Sequence, residues 1–319
     1  MSSISAQAPA QVAPHGTRPA PQATRPAPRA GRPAPQRRDE VAAAEQRWML
    51  FNTMPSALVV GVLLMLPMLW LVLLSFTGAD GGFTMAHYAR LFGDASYLRA
   101  FNLTLWMAAA TTAVCAVAGY LLAYAMTLMP RAAVTVMMAL VALPFWTSVL
   151  VRTYAWMVLL QNRGIVNSLL LKWGLIDSPL PMMHNATGAL VGMVHIMLPF
   201  MVFPLYAALQ KVDPDHARAS AAMGATPVYT FWHVTFPQTL PGLFAGCVLV
   251  FVLSLGFYIT PALLGGGRTV VMSILIEHEV TSSMNWGSAS AVATFFVVVV
   301  LAIFAVAGRY MPVERLFQK

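Results

Sequence analysis

Six apolar runs, at residues 56–77, 100–128, 133–160, 187–210, 243–264 and 289–308, constrain this chain more than any other feature. Each is long enough to cross a hydrocarbon core, which takes roughly 20 residues of helix. Composition points the same way. Hydrophobic residues make up 59% of the chain and charged residues 9%, where a soluble domain carries about 25%. The expected fold class is therefore all-α, a polytopic membrane protein of about six transmembrane helices. Cys115 and Cys247 both fall inside apolar runs and read as small core residues, not as a disulfide framework.

Residues 1–45 have a different composition, rich in Pro, Ala, Arg, Gln and Gly, with RPAP recurring at Arg18, Arg25 and Arg32. The segment has no apolar face to repay the entropy of ordering, so a disordered tail with polyproline II character is expected over 1–45 and a transmembrane domain over 46–319. No small-residue cleavage site follows the first apolar run, so the tail does not read as a signal peptide. The net charge of +8 would suggest nucleic acid in a soluble protein. Here the basic residues lie in the tail and at span ends, which makes membrane orientation the simpler account. With the first flank inside, Arg37, Arg38, Arg47, Arg131, Lys211, Arg218, Arg309, Arg315 and Lys319 fall inside, against Arg90, Arg99, Arg163, Lys172 and Arg268 outside. That bias predicts both termini cytoplasmic. The basic tail could contact lipid headgroups, but a solvated extension is the plainer reading.

One long polar stretch interrupts the apolar pattern, residues 211–242, KVDPDHARASAAMGATPVYTFWHVTFPQTLPG. The topology puts it in the cytoplasm. Its small residues Ala217, Ala219, Ala221 and Ala222 suit a short helix, Gly224 breaks it, and a second short helix is expected from Thr226 to Phe236, ending before Pro237 and Pro241. Gly224 suits a tight bend or a positive φ. Two short helices meeting at a glycine form a compact knob, a shape that docks into another protein's groove.

This stretch resembles the Glu-Ala-Ala loop of bacterial ABC-transporter permeases of the binding-protein-dependent type. Ala219, Gly224, Ala225, Phe231, Val234, Pro237, Pro241 and Gly242 match its pattern, while Arg218 and Ser220 stand where the family has Glu and the second Ala. Further segments resemble the polyamine (putrescine/spermidine) permeases: 143–177, 198–209 (LPFMVFPLYAAL), 256–267 (GFYITPALLGGG), and Asn102 with Thr104. The similarity covers about residues 50–315. It implies a multi-pass permease of the bacterial inner membrane, with an ATP-binding cassette subunit, a second permease subunit, an external solute-binding protein and membrane lipids as partners, and no nucleic acid. It further implies that Arg218, Ala219, Ser220, Gly224, Ala225, Pro237 and Pro241 form the ATPase-coupling loop and that the cargo is a small solute, a polyamine by resemblance to that subgroup.

Several polar groups fall within or beside the runs. Arg152 falls mid-span, where a charge is costly, so it should face the bundle interior. It could line the path, but a brace to carbonyls or to Asp177 fits a polycation's permease better. Trp146, Tyr154 and Trp156 could offer cation–π contacts or serve as packing and interfacial anchors. His195 reads as an interhelical hydrogen bonder. Glu277 and Glu279 read as a solvated external loop or as attraction for a polyamine.

Catalytic signatures are missing from the sequence. There is no GxxxxGK[ST] phosphate loop, so a partner must hydrolyse ATP, and there is no HExxH, GxSxG or metal-spaced Cys/His cluster. No cofactor is expected. A stand-alone channel or secondary transporter is the competing class. It would need coupling-ion carboxylates within its spans, and these runs have essentially none. Within the ABC class, a metal–anion complex, thiamine or another organic amine would be alternative cargo.

Overall fold

The computed structural model describes residues 35–78 and 80–310. Of the expected tail, residues 1–34 lie outside the described residues, and the expected boundary at residue 45 falls inside the first helix, α1 (Pro35–Ser75). The chain divides into two units, one ending at Leu63 and one beginning at Leu64. Among the described residues the first unit consists of helix, the beginning of α1.

The remaining elements belong to the second unit. In order they are α2 (Ala86–Gly93), α3 (Ala95–Thr127), α4 (Arg131–Ala142), α5 (Val149–Leu159), α6 (Ile165–Lys172), α7 (Ala186–Leu209), α8 (Pro214–Ala222), α9 (Pro227–Thr230), α10 (Phe236–Leu255), α11 (Ile259–Leu264), α12 (Met272–Thr281) and α13 (Trp286–Tyr310). Among the described residues the only strand-like pairing is an isolated bridge between Thr77 and Phe83. Five helical stretches are long and apolar enough to span a membrane: Thr53–Ser75, Ala95–Thr127, Ala186–Leu209, Pro227–Leu255 and Trp286–Val306.

Two spans depart from the sequence expectation. The third, expected as one helix over 133–160, is broken: Arg131–Trp146 and Val149–Leu159 meet at 104°. Pro144 opens a single 3-10 turn, Leu143–Trp146, and Thr147 and Ser148 then take extended backbone. Proline lacks the N–H that would carry the α ladder across this point. The fifth, expected over 243–264, begins much earlier and ends at Leu255, with 259–264 forming the separate short helix α11. The second knob helix does not end before the prolines. A π-turn at Phe231–Thr235 joins α9 to α10, with Phe236 N–H bonded to the Phe231 carbonyl. The wider turn skips the bond Pro237 could not donate, and the helix continues.

α3, α7 and α10 pack as the central trio. Their contacts bury methionines: Met107 and Met193 near one end, Met197 and Met201 at mid-length, Met126 toward the other. An unbranched thioether fills the gaps left by proline-bent helices, and α7 carries both Pro199 and Pro204. The α7–α10 crossing is close enough that a Cβ at Gly242 would collide with the Ala208 side chain.

A polar staple ties α2, α3 and α12 together. Glu279 is buried, accepts a 2.6 Å hydrogen bond from the Tyr97 hydroxyl, and lies 3.6 Å from the Arg90 guanidinium. This corrects the solvated-loop reading: Glu279 is a structural carboxylate already committed to two partners. Removing the Tyr97 hydroxyl strips its closest donor. Tyr97→Phe is therefore expected to lower stability by about 1–3 kcal/mol, the usual cost of leaving a buried polar group unpaired. Thermal unfolding of the purified variant in detergent measures it, and an unchanged midpoint would refute the staple.

Candidate functional site

The knob at 213–242 is built from capping rules. Asp213 caps α8 by accepting from the Asp215 N–H at 2.9 Å, and Thr226 caps α9 by accepting from the Tyr229 N–H at 3.3 Å. Pro214 and Pro227 occupy the first helical turns, where no N–H is needed. α8 ends in a Schellman motif: the Ala225 N–H bonds to the Ser220 carbonyl at 3.2 Å and the Gly224 N–H to the Ala221 carbonyl at 2.9 Å. The motif requires a left-handed residue between them, and Gly224 has φ +84. Across the elbow the Ser220 hydroxyl meets Thr230 Oγ1 at 2.9 Å, both buried. Ser220 thus bolts α8 to α9, a role that alanine could not fill.

The knob's outer surface is unusually apolar for exposed residues. Met223 is 82% exposed, Val228 68%, Trp232 55% and Tyr229 53%. Arg218 forms an exposed pair with Asp215 at 2.8 Å, so its charge is matched locally and contributes little to the fold. Ala219 is exposed on α8, and Ala225 follows the bend. Pro237 lies in the first turn of α10 and Pro241 within it.

The knob is rigidly continuous with the bundle. Tyr120 of α3 packs against Phe231 and Phe236 at ring separations of 5.7 and 5.6 Å, Tyr124 packs against Phe231 at 5.2 Å, and the Tyr120 hydroxyl meets Thr239 Oγ1 at 2.9 Å. His216 Nδ1 meets Gln238 Oε1 at 3.1 Å, tying α8 to α10. A force on α8 and α9 therefore reaches α3 and α10 through packed aromatics.

The second place of interest is the break in the third span. α5 packs against both α7 and the short helix α11. Thr153 and Thr260 hydroxyls meet at 3.1 Å, and both are buried. The Trp156 Nε1–H donates to His195 Nδ1 at 3.1 Å, which leaves the His195 proton on Nε2 and confirms His195 as an interhelical partner. Trp156 is thereby committed to packing. Arg152 lines a cavity of about 270 Å³ with Pro144, Phe145, Pro199, Phe200 and Phe257. Its Nε is buried without a hydrogen-bond partner, and no ion pair joins it to Asp177. The expected brace is not made. Trp146, 82% exposed, and Tyr154, 54% exposed, stand on the outer side of this region. The structure thus brings Arg152, Thr153, Trp156, His195 and Thr260 into one neighbourhood and leaves Trp146 and Tyr154 uncovered. Sequence reading passed over Thr153 and Thr260, since lone threonines in apolar runs carry no signal of their own.

The helical fold of this chain is similar to that of a solved structure. A bacterial ABC transporter involved in import of the acidic polysaccharide alginate superposes with a TM-score of 0.71 at 19% identity, covering 88% of this chain and all of that one. At the sequence level, the family described as binding-protein-dependent transport system inner membrane component matches residues 116–312. The spermidine/putrescine transport system permease protein PotB of Haemophilus influenzae is 32% identical over 235 residues, 72% of this chain and 82% of that protein. PotB of Escherichia coli is 31% identical over 260 residues, 80% of this chain and 93% of that protein. The chain belongs to the binding-protein-dependent transport inner-membrane family. It is a multi-pass inner-membrane permease subunit of an ABC importer.

Proposed function

We propose that this permease forms part of the translocation path for a polyamine, with both termini in the cytoplasm and the 213–242 knob seated on an ATP-binding subunit. The observation that carries this reading is the knob itself. A glycine-locked elbow presents Met223, Val228, Tyr229 and Trp232 outward and is welded to α3 and α10 by Tyr120, Tyr124, Phe231 and Phe236. Exposed apolar patches on an otherwise ordered element mark interaction surfaces. Arg218, Ala219, Ser220, Gly224, Ala225, Pro237 and Pro241 keep the coupling role, Ser220, Gly224 and the prolines by shaping the elbow and Arg218 only weakly. Closure of the ATP-binding subunits would move the knob as a rigid lever and switch the path between its two openings. A second permease subunit would complete the path, and an external solute-binding protein would deliver the cargo. Polyamine cargo is supported by the two PotB proteins, whose names specify spermidine and putrescine.

Broken helices at membrane depth are tolerated where they line a cavity or are buried in protein, and transporters place their paths there. The bent third span and α11 are the broken helices of this chain. Trp146 and Tyr154, uncovered in the lone subunit, are proposed to face the path and offer ring faces to ammonium groups. Arg152, whose Nε has no partner here, is proposed to gain one as the path switches, and Trp156 to hold α5 to α7.

The test is purification of the tagged chain from its native membrane in mild detergent with mass spectrometry, followed by uptake of labelled putrescine and spermidine. An ATP-binding subunit and a second permease should co-purify, and uptake should depend on ATP. Recovery of the chain alone after mild crosslinking would favour a stand-alone channel. An intact complex that ignores polyamines but takes up thiamine would remove the substrate and leave the importer.

A further inference from the structure

A cavity of about 410 Å³ lies between the start of α3 and the segment leading into α12, lined by Ser96, Arg99, Ala100, Leu103, Arg268, Val270 and Leu275. Its polarity runs in one direction. Ser96, Arg99, Ala100 and Leu103 occupy positions i, i+3, i+4 and i+7 of α3, a single stripe descending about 10 Å from the helix start. The polar residues come first on that stripe and the apolar ones after. Arg268, Val270 and Leu275, from the segment leading into α12 and from α12 itself, complete the lining with one more guanidinium and two more apolar side chains.

The two arginines are available. Arg268 makes no side-chain hydrogen bond or ion pair among the described residues, and its position is set by a turn in which its N–H bonds to the Gly265 carbonyl at 3.2 Å, with Gly266 and Gly267 both at positive φ. Arg99 Nε is bonded to the Ala95 carbonyl at 3.2 Å, and its Nη2 has only a long contact of 3.4 Å with the Ser96 hydroxyl. No carboxylate lines the cavity. Glu279 is engaged with Tyr97 and Arg90, and Asp94 with the Ser96 N–H, a bond that holds its carboxyl below the usual range, with the charges of Arg90 and Arg99 acting in the same direction.

We propose that this cavity binds the phosphate of a phospholipid headgroup between Arg99 and Arg268, with an acyl chain following Leu103, Val270 and Leu275. Guanidinium groups bind phosphate oxygens through paired, charge-assisted hydrogen bonds. A free phosphate would meet the same arginines but would leave the apolar floor unused, and an acidic side chain of a docking protein would likewise not need it. The site requires only that the chain spans a membrane, so it stands apart from the cargo and from the knob. Because Arg268 lies four residues beyond the end of α11, in the glycine turn that follows it, the lipid would brace the segment that packs on α5.

The test uses the full chain purified, delipidated and titrated with dioleoyl phosphatidylglycerol, with binding counted by native mass spectrometry. Wild type should retain the lipid. Arg99→Gln with Arg268→Gln should weaken it at least ~10-fold, as expected for losing charge-assisted bonds, while Arg99→Lys with Arg268→Lys should weaken it less. Leu103→Trp, which keeps both arginines and fills the floor, should also displace the lipid. Unchanged titration in the double Gln variant would overturn the proposal, as would equal binding of uncharged dioleoylglycerol. Inorganic phosphate binding that Leu103→Trp does not touch would assign the arginines to a free anion instead. Full lipid retention in the double variant, together with lost affinity for an external solute-binding protein, would assign them to a protein acid.

Discussion

Gly224→Val is expected to remove nearly all uptake while leaving membrane insertion and bundle stability unchanged. The residue sits at φ +84 between the two Schellman hydrogen bonds that end α8. An L residue there costs about 1–2 kcal/mol, and a β-branched one is a genuine outlier. No heavy atom lies within 4 Å of the Cβ that a side chain would add, so the penalty is one of backbone conformation and not of crowding. The elbow would relieve it by rotating, which breaks the Ser220–Thr230 bond and turns Met223 away from Val228, Tyr229 and Trp232. A cost of ~2 kcal/mol against the docked shape corresponds to about 30-fold weaker engagement. Gly224→Asn should recover much of the activity, because asparagine tolerates the left-handed region. Uptake of labelled polyamine and co-purification of the ATP-binding subunit measure both variants. Wild-type uptake by the valine variant would show that the elbow's shape does not matter for coupling, and failure of asparagine to recover any activity would point to the side chain and not the backbone.

The elbow was readable because caps and glycines act locally. Asp213, Pro214, Gly224, Thr226 and Pro227 each carry their structural instruction within a few residues. The continuation of the second helix through Pro237 was not readable, since it depends on a π-turn whose wider ladder is set by packing of Phe231 and Phe236 on Tyr120. Hydropathy gave the same apolar signal to 133–160 as to an unbroken span. A Pro144 inside such a run is compatible with a kinked helix or with a break, and only the extended Thr147 and Ser148 make it a 104° turn. For the same reason α11 is not separable from the fifth span by hydropathy: Gly256 and the apolar residues after it do not disclose that α10 ends at Leu255.

Side-chain commitments were less legible than helices. Trp146, Tyr154 and Trp156 look equivalent in sequence, yet Trp156 falls on the α7 side of α5 and Tyr154 on the other, because two residues are about 200° apart on a helix. Glu279 lies in a segment that reads as polar and external, and its burial depends on Tyr97, far away in the chain. The position of Arg152 in a span was plain, as was its need for an interior face. What the sequence could not supply was that its proposed partner, Asp177, would be out of reach.

That unmet charge makes Arg152→Met the second decisive substitution. A brace that is engaged would be lost on mutation, and stability would fall. Here Arg152 Nε is buried without a partner in a cavity of mostly apolar residues, so methionine of similar length removes a desolvated charge and fills the same space. A charged side chain at a span's centre costs roughly 2–3 kcal/mol on insertion scales. The variant is therefore expected to unfold at a higher temperature by up to about 2 kcal/mol of added stability, the gain being partial because the cavity still admits some solvation. Uptake should move the opposite way. Pro199 and Pro204 leave the His195 and Phe200 carbonyls of α7 without their helical donors. A shift of the α5 arm during switching would let the guanidinium reach such acceptors, so that the charge left unpaired in this state is paired in the other. Methionine would then stabilise the state seen here at the expense of its alternative, and a ligand-driven cycle cannot turn over when one state is over-stabilised. Thermal unfolding of the purified subunit and uptake rates of the assembled transporter, measured on the same variant, decide it. Higher stability with reduced uptake is the expected pair, whereas a drop in stability would restore the static brace and remove the switching role.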